Sequence, residues 1–252
     1  MTSFQIISAI FIGLAAGYVG SFMVLRRMAL VGDALSHVAL PGLAIAILLN
    51  INPFIGAFAT LFIGIVSVWL IENRTELSTE SLIGLIFTFS LAIGFLITPQ
   101  SELLEALFGN ISKISAFDAY LVVALSIVLI SVMYGVSKGF ILSTISPDLA
   151  KASDVKVAKL NFVFLLLVAI AVALGIKAVG SLLMGALVII PAITSKNITS
   201  SLRGYTVASA LIGLVSLLGG MAIASELHLP PGPVVILASS AIFLLSLSLT
   251  RK

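Results

Sequence analysis

Apolar residues come in long blocks rather than in alternation. From Phe4 onward the chain repeats stretches of about 20 mostly apolar residues, each long enough to cross the bilayer hydrocarbon as a helix, separated by short polar breaks. The breaks predict nine spans, at roughly 4–25, 28–49, 53–71, 81–98, 118–137, 157–175, 178–195, 203–225 and 233–250. Pro191 leaves the seventh open to being broken or re-entrant, so the count ranges from eight to ten. The first block has no basic segment ahead of it in "MTSFQ" and runs on for about 22 residues without a small-residue cleavage site, so it reads as a retained span. No repeat, low-complexity tract or soluble module interrupts the pattern. The expected fold is all-α: a polytopic transmembrane helical bundle in which residues 1–252 form one membrane domain.

Composition sharpens this. Hydrophobic residues make up 60% of the chain and charged residues 9%, against about 25% charged in ordinary soluble domains. With the N-terminus outside, eleven of the 13 Lys and Arg residues fall on one side and only Lys113 and Lys177 on the other, the asymmetry expected of a cytoplasmic face. Topology therefore explains the net charge of +3 without invoking nucleic acid. The absence of cysteine excludes disulfides, thiolate metal sites and iron–sulfur chemistry in this chain.

Two loops stand out. The external segment 99–118 spaces Leu103, Leu104, Leu107 and Phe108 as on a helix, which predicts a piece lying along the membrane surface or dipping into the protein. The internal segment 137–159 is the longest cytoplasmic stretch. Within it Ser146, Pro147 and Asp148 read as N-cap, first-turn proline and first-turn acid of a short helix. Leu149, Ala152 and Val155 then fall near one face, suited either to a partner's groove or to the membrane surface. In the first span Ala9, Gly13, Gly17 and Ser21 repeat every four residues, a stripe that lets a second backbone approach; Gly219 and Gly220 predict another contact or a flexible point.

The chemistry concentrates in "GDALSHVALPG". Asp33 and His37, four residues apart, share a helix face inside apolar territory. A buried carboxylate there belongs at a bundle interior or a wet path, and carboxylate plus imidazole is a partial ligand set for a divalent transition metal. The alternative places Asp33 at the interface, capped by Arg26 or Arg27. Pro41 lacks an amide hydrogen and opposes the His37 carbonyl, so the helix should loosen there, and Gly42 adds freedom. His228, beside Glu226 in an external loop, is a second but weaker metal candidate. Thr88, Ser90, Ser181 and Thr194 read as hydroxyls that bond back to their own helices. No H-E-x-x-H, G-x-S-x-G or G-x-x-x-x-G-K-[ST] motif occurs, so neither a zinc protease, a serine hydrolase nor a P-loop ATPase is encoded.

Five stretches carry a family likeness that runs nearly end to end: "GSFMVLRRMALVGDALSHVALPG" (20–42), "ALFGNI" (106–111), "SPDLAKASDV" (146–155), "VGSLLMGALVIIPAIT" (179–194) and "LPPGPVVIL" (229–237). The sequence resembles the membrane permeases of ABC transporters for zinc, manganese and iron. The resemblance implies the importer-type helical fold, a second copy of the chain across a central path, and cytoplasmic ABC ATPase subunits. It also implies an extracellular metal-binding protein and a prokaryotic cell (inner) membrane, with no permanently bound cofactor and ATP used by the partner. It places metal at Asp33 and His37 and an ATPase-coupling helix at Ser146, Pro147, Asp148, Leu149, Ala150, Lys151 and Ala152. The sequence departs from the family pattern at Ser146, commonly acidic, Asp148, commonly Glu, and Asp154, commonly Gly. A chelate-carrying ABC permease, a gradient-driven secondary transporter and an intramembrane enzyme stay open as rivals.

Overall fold

The computed structural model describes residues 2–98, 107–109, 115–181 and 183–248, apart from the Lys177 side chain. These residues contain no strand. The helices are α1 (Ser3–Leu25), α2 (Val31–Val38), α3 (Leu40–Leu48), α4 (Pro53–Glu72), α5 (Thr79–Ile97), α6 (Ala116–Ile145), α7 (Pro147–Ala152), α8 (Val157–Val179), α9 (Met184–Ile198), α10 (Leu202–Leu227) and α11 (Pro231–Leu247).

Their ends follow from local chemistry. Thr2 and Gln5 form a capping box at α1 and Ser115 with Asp118 another at α6, while the side chains of Asn52, Ser78 and Ser201 cap α4, α5 and α10. Among the described residues, four other than glycine adopt left-handed backbone, namely Arg27, Asn50, Asp154 and His228. Each ends a helix. After α7, for instance, the Asp154 amide donates to Lys151 O at 3.1 Å and the Val155 amide to Ala150 O at 3.0 Å, closing a Schellman turn.

Seven of these segments are long and apolar enough to cross a membrane, with α2 and α3 together making one; α9 and α11, of 15 and 17 residues, are apolar but shorter. All nine stretches expected from the sequence are thus helical over most of their length, but two boundaries differ. The fifth helix continues to Ile145, well past residue 137, because "SKGFILSTI" holds no breaker strong enough to end it. The seventh begins at Met184 rather than 178, since α8 runs on to Val179 and Gly180, at φ 82°, turns the chain. Most of the external segment 99–118 lies outside the described residues.

Helix α1 is the structural axis, packed against α6, α8, α9 and α10. The predicted small-residue stripe is the seam with α10. A Cβ placed on Gly17 would lie 2.2 Å from Ser209 O, and one on Gly13 2.8 Å from Gly213 O, so only glycine permits this approach. The Ser209 hydroxyl donates to Gly17 O at 2.5 Å and the Tyr205 hydroxyl to Ser21 O at 3.1 Å, satisfying both groups in a dry interface. A second seam joins α3 to α4, where a Cβ on Gly42 would meet Gly56 O at 2.0 Å. Gly42 thus provides closeness rather than the freedom expected. Gly220 lies against Val235 of α11 in the same manner, whereas Gly219 faces open space.

Candidate functional site

Helix α2 carries Asp33 in its first turn and His37 in its last. It is short for a physical reason at each end. The Schellman turn at Arg27 reverses the chain ahead of it, with Arg27 N–H to Val24 O at 3.1 Å and Met28 N–H to Met23 O at 2.9 Å. At the other end the residue four beyond His37 is Pro41, which offers the His37 carbonyl no donor; α2 stops at Val38 and α3 restarts at Leu40. The loosening predicted from Pro41 is present, and the pair sits just before it.

Asp33 is partly exposed, with one side against the start of α9. A Cβ on Gly185 would stand 2.6 Å from the Asp33 Cβ and 2.9 Å from its Oδ1, so a bare glycine makes room for the carboxylate. His37 is 9% exposed, with its ring tilted 52° at 5.5 Å from Phe87 of α5. Its Nδ1 is enclosed without a hydrogen-bond partner, and the Asp33 carboxylate is near enough to act on the imidazole electrostatically. An enclosed ring nitrogen with nothing to bind is costly in an apolar bundle. Among the described residues no group of three or more His, Cys, Asp or Glu side chains converges as a metal site would.

The arginines do not cap Asp33. The Arg26 guanidinium lies 5.0 Å over the Phe140 ring, while Arg27 is exposed. Burial pulls the Arg26 pKa below its ordinary value, and the nearby Glu72 carboxylate partly opposes this.

Four of the five family-like stretches meet beside α2. Gly109 and Gly180, both at positive φ, are in backbone contact: a Cβ on Gly180 would meet Leu107 O at 2.1 Å, and one on Gly109 would meet Gly180 N at 2.5 Å. Gly232 closes the group, its place for a Cβ being 2.7 Å from Val179 O and 2.8 Å from Phe108 O. The Ser36 hydroxyl, on α2, reaches Ser181 O at 2.6 Å. Ser181 is therefore no back-bonding hydroxyl: it lies in the α8–α9 break, its carbonyl accepts from Ser36, and its own Oγ is buried without a partner. Thr88 and Thr194 do bond back, to Gly84 O and Ile190 O. Sequence reading missed Ser36, Phe87 and Gly185 here. Ser36 and Gly185 lie inside the quoted stretches, but nothing in their spacing marks a tertiary contact.

The fifth stretch lies apart, in α7. Ser146 Oγ accepts the Leu149 amide at 3.4 Å, Pro147 opens the helix, and Asp148 and Lys151 stand at the ends their charges favour. Ala150 is fully buried, Leu149 is 60% exposed and Ala152 is exposed. Val155 packs 3.6 Å from the Cβ position of Gly139, so of the expected apolar face only Leu149 and Ala152 are left open. His228 and Glu226 are exposed, and the left-handed His228 caps α10 with its backbone.

Residues 2–250 match the ABC 3 transport family, ABC-3. This chain belongs to that family. It is a multi-pass membrane permease subunit, a class without an ATPase site of its own. The chain is 32% identical to the high-affinity zinc uptake system membrane protein ZnuB of Haemophilus influenzae, over 96% of this chain and 95% of that one. It is 31% identical to the manganese import system permease protein ScaB of Streptococcus gordonii, over 98% and 90%. Its fold superposes on PsaBC from Streptococcus pneumoniae in complex with Fab with a TM-score of 0.85 at 26% identity, covering 98% and 91% of the two chains.

Proposed function

We propose that this chain is the permease of an ATP-driven importer for a divalent transition metal (zinc, manganese or iron) in a prokaryotic inner membrane. The observation that carries the metal path is the Asp33/His37 pair, one turn apart on α2 with the imidazole Nδ1 enclosed and unpaired. The zinc and manganese relatives in the same family support the class of cargo.

In this reading two copies of the chain face each other, and a carboxylate and an imidazole from each supply up to four donors, enough for a tetrahedral ion. Two donors per chain hold the ion weakly until both copies close on it, and weak holding lets it leave. The ion arrives on an extracellular metal-binding protein and passes inward by alternating access. Cytoplasmic ABC ATPase subunits drive the change through α7, whose exposed Leu149 and Ala152 seat in a groove of the ATPase. Nine spans with the N-terminus outside fit the basic-residue asymmetry, with α9 and α11 as short spans. No cofactor is held permanently, and residues 1–252 act as one membrane domain.

The test is metal-dependent growth and uptake in a depleted host. Asp33→Ala and His37→Ala each abolish uptake while the protein stays in the membrane at its normal amount; undiminished uptake by both removes the site. If the purified chain alone, in liposomes, moved metal down a proton gradient, the ATPase requirement would fall instead.

A further inference from the structure

Ser36 is fully buried, and its hydroxyl oxygen lies 2.6 Å from two carbonyl oxygens, Asp33 O on its own helix and Ser181 O in the α8–α9 break. A hydroxyl has one proton and serves one acceptor at a time. The Asp33 carbonyl belongs to the helical ladder of α2. No backbone amide of the described residues donates to the Ser181 carbonyl, so the proton is worth most across the gap.

The two partners differ in how firmly they are held. The Ser181 segment is wedged by backbone contacts at Gly109, Gly180 and Gly232, which leave no space for a side chain. Helix α2 has eight residues, no side-chain cap at its start and a proline-interrupted ladder at its end. Such a helix is not stable alone and takes its position from its neighbours. The Ser36 hydroxyl sits three residues after Asp33 and one before His37, so a bond from it fixes both the rotation of α2 about its axis and the height of the pair.

We propose that Ser36 is a positioning residue for the metal pair: its hydrogen bond to the Ser181 carbonyl holds Asp33 and His37 in register with the junction of residues 107–109, 179–181 and 232. The proposal rests on the metal-path reading of Asp33 and His37. Its consequence is a division of labour, with the two side chains binding and the hydroxyl deciding where they stand. Loss of the bond loosens the placement of the donors without removing either one, and so acts on apparent affinity more than on turnover.

The experiment measures Mn2+ and Zn2+ uptake against concentration for the assembled transporter in proteoliposomes. Ser36→Ala raises KM about fivefold or more, the lower end of usual coupling between sites, with maximal rate and membrane amount close to the parent. Ser36→Cys, which keeps the volume and a weaker donor, falls between the two. Ser181→Ala keeps the acceptor carbonyl, removes only the unpartnered hydroxyl, and leaves KM unchanged. A KM for Ser36→Ala within twofold of the parent overturns the proposal, as does a loss of protein amount with KM untouched. Should Ser36→Ala fail to insert, an unchanged KM in Ser36→Cys overturns it equally. Asp33→Asn runs in parallel: inactivity leaves the metal-path reading standing while Ser36 is judged separately, and normal transport removes that reading and the positioning role with it.

Discussion

Helices α2 and α7 are the two shortest elements involved in the proposed transport, and they are incomplete in opposite ways. α7 closes both its own ends, with Ser146 at the start and the Schellman turn at Asp154, yet leaves Leu149 60% exposed. α2 closes neither end by itself and is held by contacts with Ser181, Gly185 and Phe87, yet leaves the His37 Nδ1 unpaired in its interior. One presents an apolar group lacking a surface to cover it, and the other a polar atom lacking something to bind. A self-capped helix keeps its shape when its partner moves, whereas a helix shaped by its neighbours moves when they do. That contrast suits α7 to passing on a push and α2 to responding to one.

The contrast breaks first at α2. Asp33→Ala is the largest expected effect, complete loss of uptake in the intact cell, checked by metal accumulation and immunodetection of the protein in membranes. Leu149→Asp comes next. A charge on an exposed face leaves the permease itself within about 0.5 kcal/mol of its stability, but uptake and metal-stimulated ATP hydrolysis by the reconstituted complex fall about tenfold or more, the usual cost of losing an interface anchor. Gly185→Val probes how far α2 depends on its neighbours. Its Cβ would stand 2.6 Å from that of Asp33, so the expected result is a lower melting temperature from about 1–3 kcal/mol of overpacking, together with reduced uptake. Gly84→Ala, with nothing within 4 Å of its Cβ position, is the matched control and loses neither. Smallest is Asp154→Gly, which relieves a left-handed backbone at φ 55°. The gain is about 0.5 kcal/mol, read as a melting temperature one or two degrees higher with unaltered transport.

What the sequence made legible is what depends on local chemistry. Pro41 announced the break after Val38, Ser146 and Pro147 announced the start of α7, and the four-residue stripe in α1 announced its close contact. The glycine that the resemblance leads one to expect at position 154 would suit the left-handed backbone that Asp154 occupies. What stayed hidden depends on contacts between distant segments. Hydropathy sees "GIKAVGSLLMGALV" as nearly continuous apolar chain, so the end of α8 at Val179 and the turn at Gly180 could not be placed. Ser36 and Ser181 are 145 positions apart, and neither residue type reveals the bond between them. Gly42 carried a flexibility signal because a glycine beside a proline loosens a helix; the structure uses its missing side chain for contact with Gly56 instead. The Asp33/His37 pair was visible as chemistry, but its surroundings, the Gly185 gap and the Phe87 ring, were not.

The 30 residues of α6 have a geometric consequence for the complex. At 1.5 Å per residue they extend about 45 Å, against about 30 Å of hydrocarbon. In the proposed topology, with the tails covering roughly its first 20 residues, about two turns of α6 would stand clear of the lipid tails and carry Leu149 to the level of the headgroups. In the proposed complex, an ATPase gripping this tip would work the membrane helices as a lever while touching no lipid itself.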